Sequence, residues 1–285
     1  MSQSVSFVVL FYRDAPTVRS VISTLDEVLS QSCSEYEIIA IDDHSPDDTG
    51  NVIDQVASEF PQVRPLHNPV NLGVGGSFRQ AVEATRFEWV GYTDGDDQYE
   101  VRDLCAFWSL LDSHDVISGH RTDRADGWHR LAISRHFNWL VRFIFGIPLH
   151  DTNAALKLYR GDMLRNLPAW SPEAFYDAEI LIRLYHEARA RFGEVPIRHR
   201  HRAYGQSGGI SRRNITSVLR GLGHESWAGY RRAGFGPSVG ALYAKLLGAV
   251  CTLITKARGA PLPPAPSTVQ PPKPPAPNSA KRPAR

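Results

Sequence analysis

The sequence has little of what builds disulfide-linked, thiolate-metal or membrane-spanning proteins. Only three of its 285 residues are cysteines, and Cys33, Cys105 and Cys251 are too scattered for a disulfide framework or a CxxC metal motif. They indicate reduced thiols and a cytoplasmic location. No stretch approaches the ~20 apolar residues that a membrane span needs. The opening residues, MSQSVSFVVLFYRD, have neither the basic start nor the cleavage site of a signal peptide.

An excess of one charge is also absent. The chain has 32 basic and 30 acidic residues, which gives a formal net charge of +2. Four basic residues and no acidic one lie in 259–285, so residues 1–258 carry a net charge of −2. This balance does not provide the basic surface of a nucleic-acid-binding protein, and we expect no nucleic-acid partner. Internal repeats and the P-loop pattern GxxxxGK[ST] are absent too.

The first 120 residues contain a regular alternation of strand and helix patterns. Residues 5–11 form a continuous apolar run, typical of a strand that is covered on both faces. Residues 15–31 place apolar side chains at helical spacing. The alternation predicts an α/β fold with a mostly parallel sheet flanked by helices, and ligands at the carboxyl ends of its strands. The other expected strands are 36–41, 63–67, 87–93, 116–119 and 193–197, and the other expected helices are 52–60, 77–86, 101–111, 133–145 and 175–190.

The composition divides the chain into three regions. Residues 1–225 are expected to form the α/β domain. Residues 226–258 are expected to be a helical extension that either lies on a membrane surface or packs against the domain, because Lys245 and two glycines interrupt its apolar stretch. Residues 259–285 include ten prolines in 27 residues and no aromatic residue, which predicts a disordered tail.

Three carboxylates lie within four residues directly after the predicted strand 87–93. Asp94 and Asp96 are two positions apart, so a bend at Gly95 can direct both towards one cation. A hard divalent cation such as Mg²⁺ or Mn²⁺ relieves the repulsion between such groups and can hold a diphosphate. The alternative interpretation is a solvated acidic turn.

Other polar groups also follow predicted strands. Asp42 and Asp43 can accept hydrogen bonds from a base or ribose, or they belong to a helix cap. The glycine-rich stretch 71–77 can offer backbone amides to a phosphate, or it is a tight turn that lets helix and strand pack closely. The arginines after residue 120 are interpreted either as a compact phosphate site or as ordinary surface residues.

Seven segments together resemble the family-2 glycosyltransferases with the GT-A fold. More narrowly, they are similar to the dolichyl-phosphate mannose synthase and polyprenyl-phosphate glycosyltransferase branch. The resemblance covers about residues 5–222 and rests on the order of the motifs. The segments are VVLFYRD, IIAIDDHSPDDT, NLGVGGS, YTDGDDQY, SGHR, DTNAALKLYR and VPIRHRHRAYGQSGG.

The resemblance implies a Rossmann-like GT-A domain and an inverting, metal-dependent transfer of a sugar. The donor is then a UDP- or GDP-linked sugar, and the acceptor is a polyprenyl phosphate reached by peripheral contact with the inner face of the membrane. Two alternatives remain at this point. One is a soluble glycosyltransferase that acts on a hydroxyl of a small metabolite or glycan. The other is a non-catalytic nucleotide-sugar-binding scaffold.

The resemblance also implies residue roles. Asp96, Arg121 and Arg130 are the expected catalytic residues, and Asp97 or Asp151 is the expected base if the acceptor is a hydroxyl. Departures lie on the acceptor side, where Lys157 replaces an arginine, Ala154 and Ala155 replace Ser-Gly, and Gly208 replaces a lysine. The expected metal ligands for Mg²⁺ or Mn²⁺ are Asp94, Asp96 and Gln98. The expected donor contacts are Phe11, Tyr12, Asp14, Asp42, Asp43, Asn71, Gly73, Asp94 and Gly95. The expected contacts of the acceptor phosphate are Arg121, Arg130, Ser134 and Arg202.

Overall fold

The six segments predicted as strands, together with one further strand, pair into one seven-stranded sheet in the computed structural model of the chain. The structure describes residues 3–124, 128–168, 170–172, 175–202, 204, 221 and 223, and the side chains of these residues except 123, 124 and 128–130. The sheet order is β3-β2-β1-β4-β6-β5-β7. The strands are β1 (Ser4–Phe11), β2 (Glu35–Asp42), β3 (Val63–His67), β4 (Trp89–Asp94), β5 (Val116–Arg124), β6 (Lys157–Arg160) and β7 (Phe192–His199).

Helices cover both faces of the sheet, which confirms the α/β prediction. In α1 the positions at helical spacing are the buried ones, because this face packs on the sheet. α3 begins at Gly73 rather than at residue 77, so the glycine-rich stretch forms its first turn. The helices are α1 (Val18–Ser32), α2 (Thr49–Glu59), α3 (Gly73–Ala84), α4 (Trp128–Phe145), α5 (Gly161–Arg165) and α6 (Tyr176–His186).

Three elements differ from the expected pattern, one of them the short helix α5, which the sequence did not predict. The helix expected over 101–111 is a 3₁₀ helix, Val101–Leu110. Its buried residues are Val101, Leu104 and Phe107, and this spacing of three matches the three residues per turn of a 3₁₀ helix. β6 was not expected, because four residues are too short for a periodic pattern. It runs antiparallel between β4 and β5.

The parallel strands place their carboxyl ends along one edge of the sheet. β1 pairs in parallel with β2 and with β4, and β5 pairs in parallel with β7. Because β6 is antiparallel to both of its neighbours, β4 and β5 point the same way. The segments after β1, β2, β4, β5 and β7 therefore meet at this edge, where the sequence predicts the ligand site.

The C-terminal regions expected at 226–258 and 259–285 lie outside the described residues. Among the helices that are described, none is both long and apolar enough to cross a bilayer.

Candidate active site

The turn after β1 holds Asp14 in a nearly buried position, 8% exposed. Its Oδ2 accepts a hydrogen bond from the Tyr12 amide (3.2 Å), and its own amide donates to Thr49 Oγ1 (3.1 Å). Arg13 adopts a positive φ of 59° in this turn. The Tyr12 ring is 40% exposed at the edge of the sheet. The Tyr12 ring is thus open to a ligand that lies over β1, whereas the Asp14 carboxylate is held within the turn.

Phe11, the expected donor contact before Tyr12, has a buried side chain. The carbonyl of Phe11 accepts a hydrogen bond from the Asp43 amide (3.1 Å). A Cβ at Gly95 would lie 2.1 Å from the Phe11 ring, so only glycine fits against it. The requirement for glycine at position 95 therefore comes from this close approach, whereas the sequence suggested a bend.

Asp42 and Asp43 organise the loops after β2. Asp42 Oδ1 accepts a hydrogen bond from the Ser45 amide (3.0 Å). Asp43 Oδ1 accepts from Asn68 Nδ2 (2.9 Å) and from the Leu72 amide (2.7 Å). Both carboxylates are less than a tenth exposed. Asp43 ties the end of β2 to the start of α3, whereas Asp42 holds the loop that directly follows β2.

The glycine-rich stretch packs as a tight turn. Asn71 Nδ2 donates to the Asp43 carbonyl (3.0 Å), and the Gly75 amide donates to the Pro172 carbonyl (3.1 Å). Gly73 has a φ of +74°, a conformation that favours glycine. Since the Leu72 and Gly75 amides bond within the protein, this geometry favours the packing interpretation of the stretch over a phosphate cradle.

Asp94 and Asp96 end β4 as partly buried carboxylates with raised pKa values. Burial raises the pKa of Asp94, and a 2.6 Å hydrogen bond from the Tyr92 hydroxyl is the strongest contact that opposes the rise. Burial, together with repulsion from Asp94, raises the pKa of Asp96 to about 7. A divalent cation relieves both effects, so this donor set fits Mg²⁺ or Mn²⁺.

The third expected ligand of that cation, Gln98, is engaged elsewhere by its nitrogen. Gln98 Nε2 donates to the Arg200 carbonyl (3.1 Å), and the Arg200 amide donates to the Gln98 carbonyl (2.7 Å). Within the described part of the chain, no further histidine, cysteine or carboxylate completes a three-ligand cluster with Asp94 and Asp96. Beyond these carboxylates and the Gln98 side-chain oxygen, the positions around a cation are left to phosphate or water oxygens.

Arg202 lies between the carboxylates of two strand ends. Its Nη2 is 2.7 Å from Asp14 Oδ1, and its Nη1 is 3.5 Å from Asp96 Oδ2. The guanidinium is only partly exposed, with 22% of its side chain accessible. This contact brings the segment after β7 to the segments after β1 and β4.

Arg121 lies on β5 and binds Asp151 with two parallel contacts. Nε is 2.6 Å from Oδ2, and Nη2 is 2.8 Å from Oδ1. Both side chains are less than a tenth exposed. Asn138 of α4 lies 3.5 Å from Asp151 and accepts hydrogen bonds from the amide and the hydroxyl of Thr152.

The two other expected acceptor contacts are on α4. Ser134 is partly exposed. The side chain of Arg130 lies outside the described residues.

A buried polar network beneath the site was not expected from the sequence. The Tyr176 hydroxyl lies 2.9 Å from the Tyr92 hydroxyl, which donates to Asp94. Lys157, fully buried, donates to Asp177 Oδ2 (2.6 Å) and to the Thr152 carbonyl (3.0 Å). The sequence offered no distinct signal for it, because β6 and α6 also carry other charged residues besides Lys157 and Asp177.

Among the described arginines at the end of β7 and in the segment after it, Arg198 and Arg200 are committed to ion pairs. Arg198 binds Asp103 with Nη2 at 2.6 Å from Oδ1, and Arg200 binds Glu100. These two arginines therefore join β7 to the 3₁₀ helix. Arg202 is the member of this group that reaches the predicted site.

Comparison with known proteins agrees with the fold. Residues 6–167 match the family model described as Glycosyl transferase family 2. The dodecaprenyl-phosphate galacturonate synthase of Rhizobium johnstonii is 26% identical over 266 residues, which are 86% of this chain and 75% of that protein. The dolichyl-phosphate hexose transferase of Haloferax volcanii is 30% identical over 196 residues, 67% of this chain and 81% of that protein.

A third relative and a solved structure extend the comparison. The undecaprenyl-phosphate mannosyltransferase of Micrococcus luteus is 28% identical over 71% of this chain and 89% of that protein. Glucosyl-3-phosphoglycerate synthase from Mycobacterium tuberculosis, solved with Mn²⁺, UDP-glucose and phosphoglyceric acid, superposes with a TM-score of 0.59 at 18% identity. That match covers 77% of this chain and 79% of the other, and it confirms the expected GT-A fold.

Proposed function

Because the chain belongs to glycosyl transferase family 2, we propose that it moves one sugar from a nucleoside diphosphate sugar to a polyprenyl phosphate, with inversion at the anomeric carbon. The observation that carries the proposal is the contact of Arg202 with both Asp14 and Asp96. It puts a phosphate-binding guanidinium among the carboxylates that suit a cation and a nucleotide. The names of the relatives support the lipid phosphate as acceptor.

On the donor side, Asp94 and Asp96 would hold Mg²⁺ or Mn²⁺. When bound, such a cation supplies Lewis-acid neutralisation of the negative charge that develops on the departing nucleoside diphosphate. Tyr12 offers an exposed ring to the base, and Asp14 offers a carboxylate to the sugar of the nucleoside. Arg202 adds a guanidinium for the phosphate oxygens.

On the acceptor side, the hydrogen bonds of Asp151 favour a phosphate acceptor over a hydroxyl acceptor. A hydroxyl acceptor needs a base, and both oxygens of Asp151 already accept hydrogen bonds from Arg121. The other expected base, Asp97, has Oδ2 at 3.5 Å from Ser20 Oγ and Oδ1 at 3.9 Å from Arg200. A phosphate monoester is ionised already and attacks without a base.

An exposed apolar face on α4 supports access to a lipid acceptor. Ile133, Trp139 and Phe143 are each about half exposed, and the Trp139 and Phe143 rings stack at 5.2 Å. Arg135 and Arg142 are exposed on the same helix. Aromatic side chains flanked by arginines suit the interface of a bilayer that contains anionic lipid. The face lies on the helix that also carries Ser134, one of the expected acceptor contacts.

The test is a screen of radiolabelled UDP- and GDP-sugars with a polyprenyl phosphate in the presence of Mg²⁺ or Mn²⁺. Label that enters the organic phase, and that is lost in Asp96→Asn, is the expected result. Asp112→Asn, at an exposed position in the turn between the 3₁₀ helix and the start of β5, is the matched control and should keep the activity. Label that appears only in a water-soluble product would overturn the lipid acceptor and favour transfer to a hydroxyl of a small metabolite or glycan.

A further inference from the structure

We propose that His120, His150 and Glu194 form a second cation site, separate from Asp94 and Asp96, that takes an imidazole-preferring divalent cation such as Zn²⁺. One ligand atom from each of the three residues lies within 4.8 Å of the others. Two imidazole nitrogens and one carboxylate oxygen are a zinc-type donor set, whereas Mg²⁺ prefers oxygen ligands alone. The site does not depend on the proposed function.

The sheet places these residues on the same side. Ser118 pairs with Glu194 and His120 pairs with Pro196 between the parallel strands β5 and β7. Side chains two positions apart on a strand point to the same face, so His120 and Glu194 are diagonal neighbours. Arg121, the next residue along β5, points instead towards Asp151.

Glu194 is fixed before any cation binds. Its Oε1 accepts hydrogen bonds from the amides of His150 (2.7 Å) and Asp151 (3.1 Å), and its Oε2 lies 2.7 Å from His150 Nδ1. With only 15% of its side chain exposed, Glu194 is a preoriented ligand. The carboxylate also holds the backbone next to Asp151, so a cation here stabilises the segment that positions Arg121.

The two histidines have the freedom that ligation requires. The rings of His120 and His150 stack with centroids 5.4 Å apart, and the side chain of His150 is 60% exposed. Within the described part of the chain, the His120 imidazole has no hydrogen bond or ion pair. Zn–N bonds of about 2.0 Å require ligand atoms about 3.3 Å apart, so a modest rotation of the side chains closes the site. Three protein ligands leave a fourth position to water.

The experiment uses the full chain without an affinity tag and Co²⁺ as a spectroscopic probe, in an excess of Mg²⁺ that occupies oxygen-only sites. We expect saturable binding of one Co²⁺ with the visible bands of tetrahedral coordination. His120→Asn and His150→Asn should each weaken it by more than about tenfold, since loss of even an outer-shell partner costs 10–100-fold. His136→Asn removes an exposed histidine of α4 and is the matched control.

Each result has a defined meaning. Binding that is lost in both variants and retained in His136→Asn and Asp94→Asn supports the site. Absence of saturable Co²⁺ binding, or binding that survives both histidine variants, overturns it. The melting temperature of each variant verifies that the fold is intact. The Co²⁺ measurement needs no substrate, so a negative result does not contradict the proposed sugar transfer. A negative result in the transfer assay likewise does not contradict this cation site.

Discussion

The hydroxyl of Tyr92 should control how tightly Asp94 binds a divalent cation. This hydroxyl donates to Asp94 Oδ1 over 2.6 Å in a fully buried setting and is itself 2.9 Å from the Tyr176 hydroxyl. Tyr92→Phe removes the contact that most strongly opposes the raised pKa of Asp94. The carboxylate then holds its proton to higher pH and loses its fixed orientation, and both changes weaken cation binding.

The size of the effect follows from the type of hydrogen bond. A hydrogen bond to a charged group contributes about 1.5–3 kcal/mol, and about 1.4 kcal/mol corresponds to a factor of ten in affinity. Because Asp96 remains as a ligand, we expect the lower end of this range, an increase of about tenfold in the dissociation constant for Mn²⁺. Tyr176→Phe removes only the hydrogen bond between the Tyr176 and Tyr92 hydroxyls. It should raise the dissociation constant for Mn²⁺ by a smaller factor.

Electron paramagnetic resonance of free Mn²⁺ measures this constant directly, in the presence of UDP and without an acceptor. Tyr159→Phe is the matched control, because Tyr159 is also buried and packs near Phe78, but its hydroxyl contacts Asp177 at 3.5 Å. Melting curves of all variants are needed, since a lost buried hydrogen bond costs about 1–3 kcal/mol of stability. A Mn²⁺ constant in Tyr92→Phe that equals that of the wild type, or an equal rise in Tyr159→Phe, refutes the reasoning.

Three further predictions concern charge and surface. Burial raises the pKa of Asp96 to about 7, so the folded state retains a proton that the unfolded state has lost, and stability falls as the pH rises from about 4 to 7. Asp96→Asn has no carboxylate to ionise and so does not lose this stability. In calorimetry without added metal, we expect it to melt at a higher temperature than the wild type at pH 8 and to differ less from it at pH 5. For the same reason, the affinity of the wild type for Mn²⁺ should fall about tenfold between pH 8 and pH 6, and a flat profile would exclude Asp96 as a titrating ligand. In cosedimentation with anionic liposomes, Trp139→Ser/Phe143→Ser should bind several-fold less than Val70→Ser, and equal binding would remove α4 as the membrane contact.

The sequence was sufficient to predict which strand ends meet. Residues 12–14, 42–43 and 94–98 each follow an apolar run, and the carboxyl ends of parallel strands share one edge of a sheet. Their meeting therefore required only the strand–helix alternation. The positions of Asp94 and Asp96, the carboxylates proposed to hold the cation, were predictable relative to the fold in the same way.

The partners of individual charged residues were not predictable. Arg198, Arg200 and Arg202 look alike in the sequence, yet Arg198 pairs with Asp103 and only Arg202 reaches Asp96. The difference depends on how the end of β7 lies against the 3₁₀ helix, which no local pattern encodes. Lys157 was interpreted as a departure on the acceptor side, but it is buried in β6, a strand too short to be recognised.

The position of Arg202 couples the donor site to the end of the described sheet domain. A donor complex that draws Asp14 and Asp96 into its own contacts competes with the guanidinium for these carboxylates. By thermodynamic reciprocity, whatever changes the position of Arg202 changes the affinity for the proposed donor by the same factor by which the donor changes the equilibrium between the positions of Arg202. A partner or lipid surface that takes hold of the chain beyond β7 can therefore set the donor affinity without touching the nucleotide.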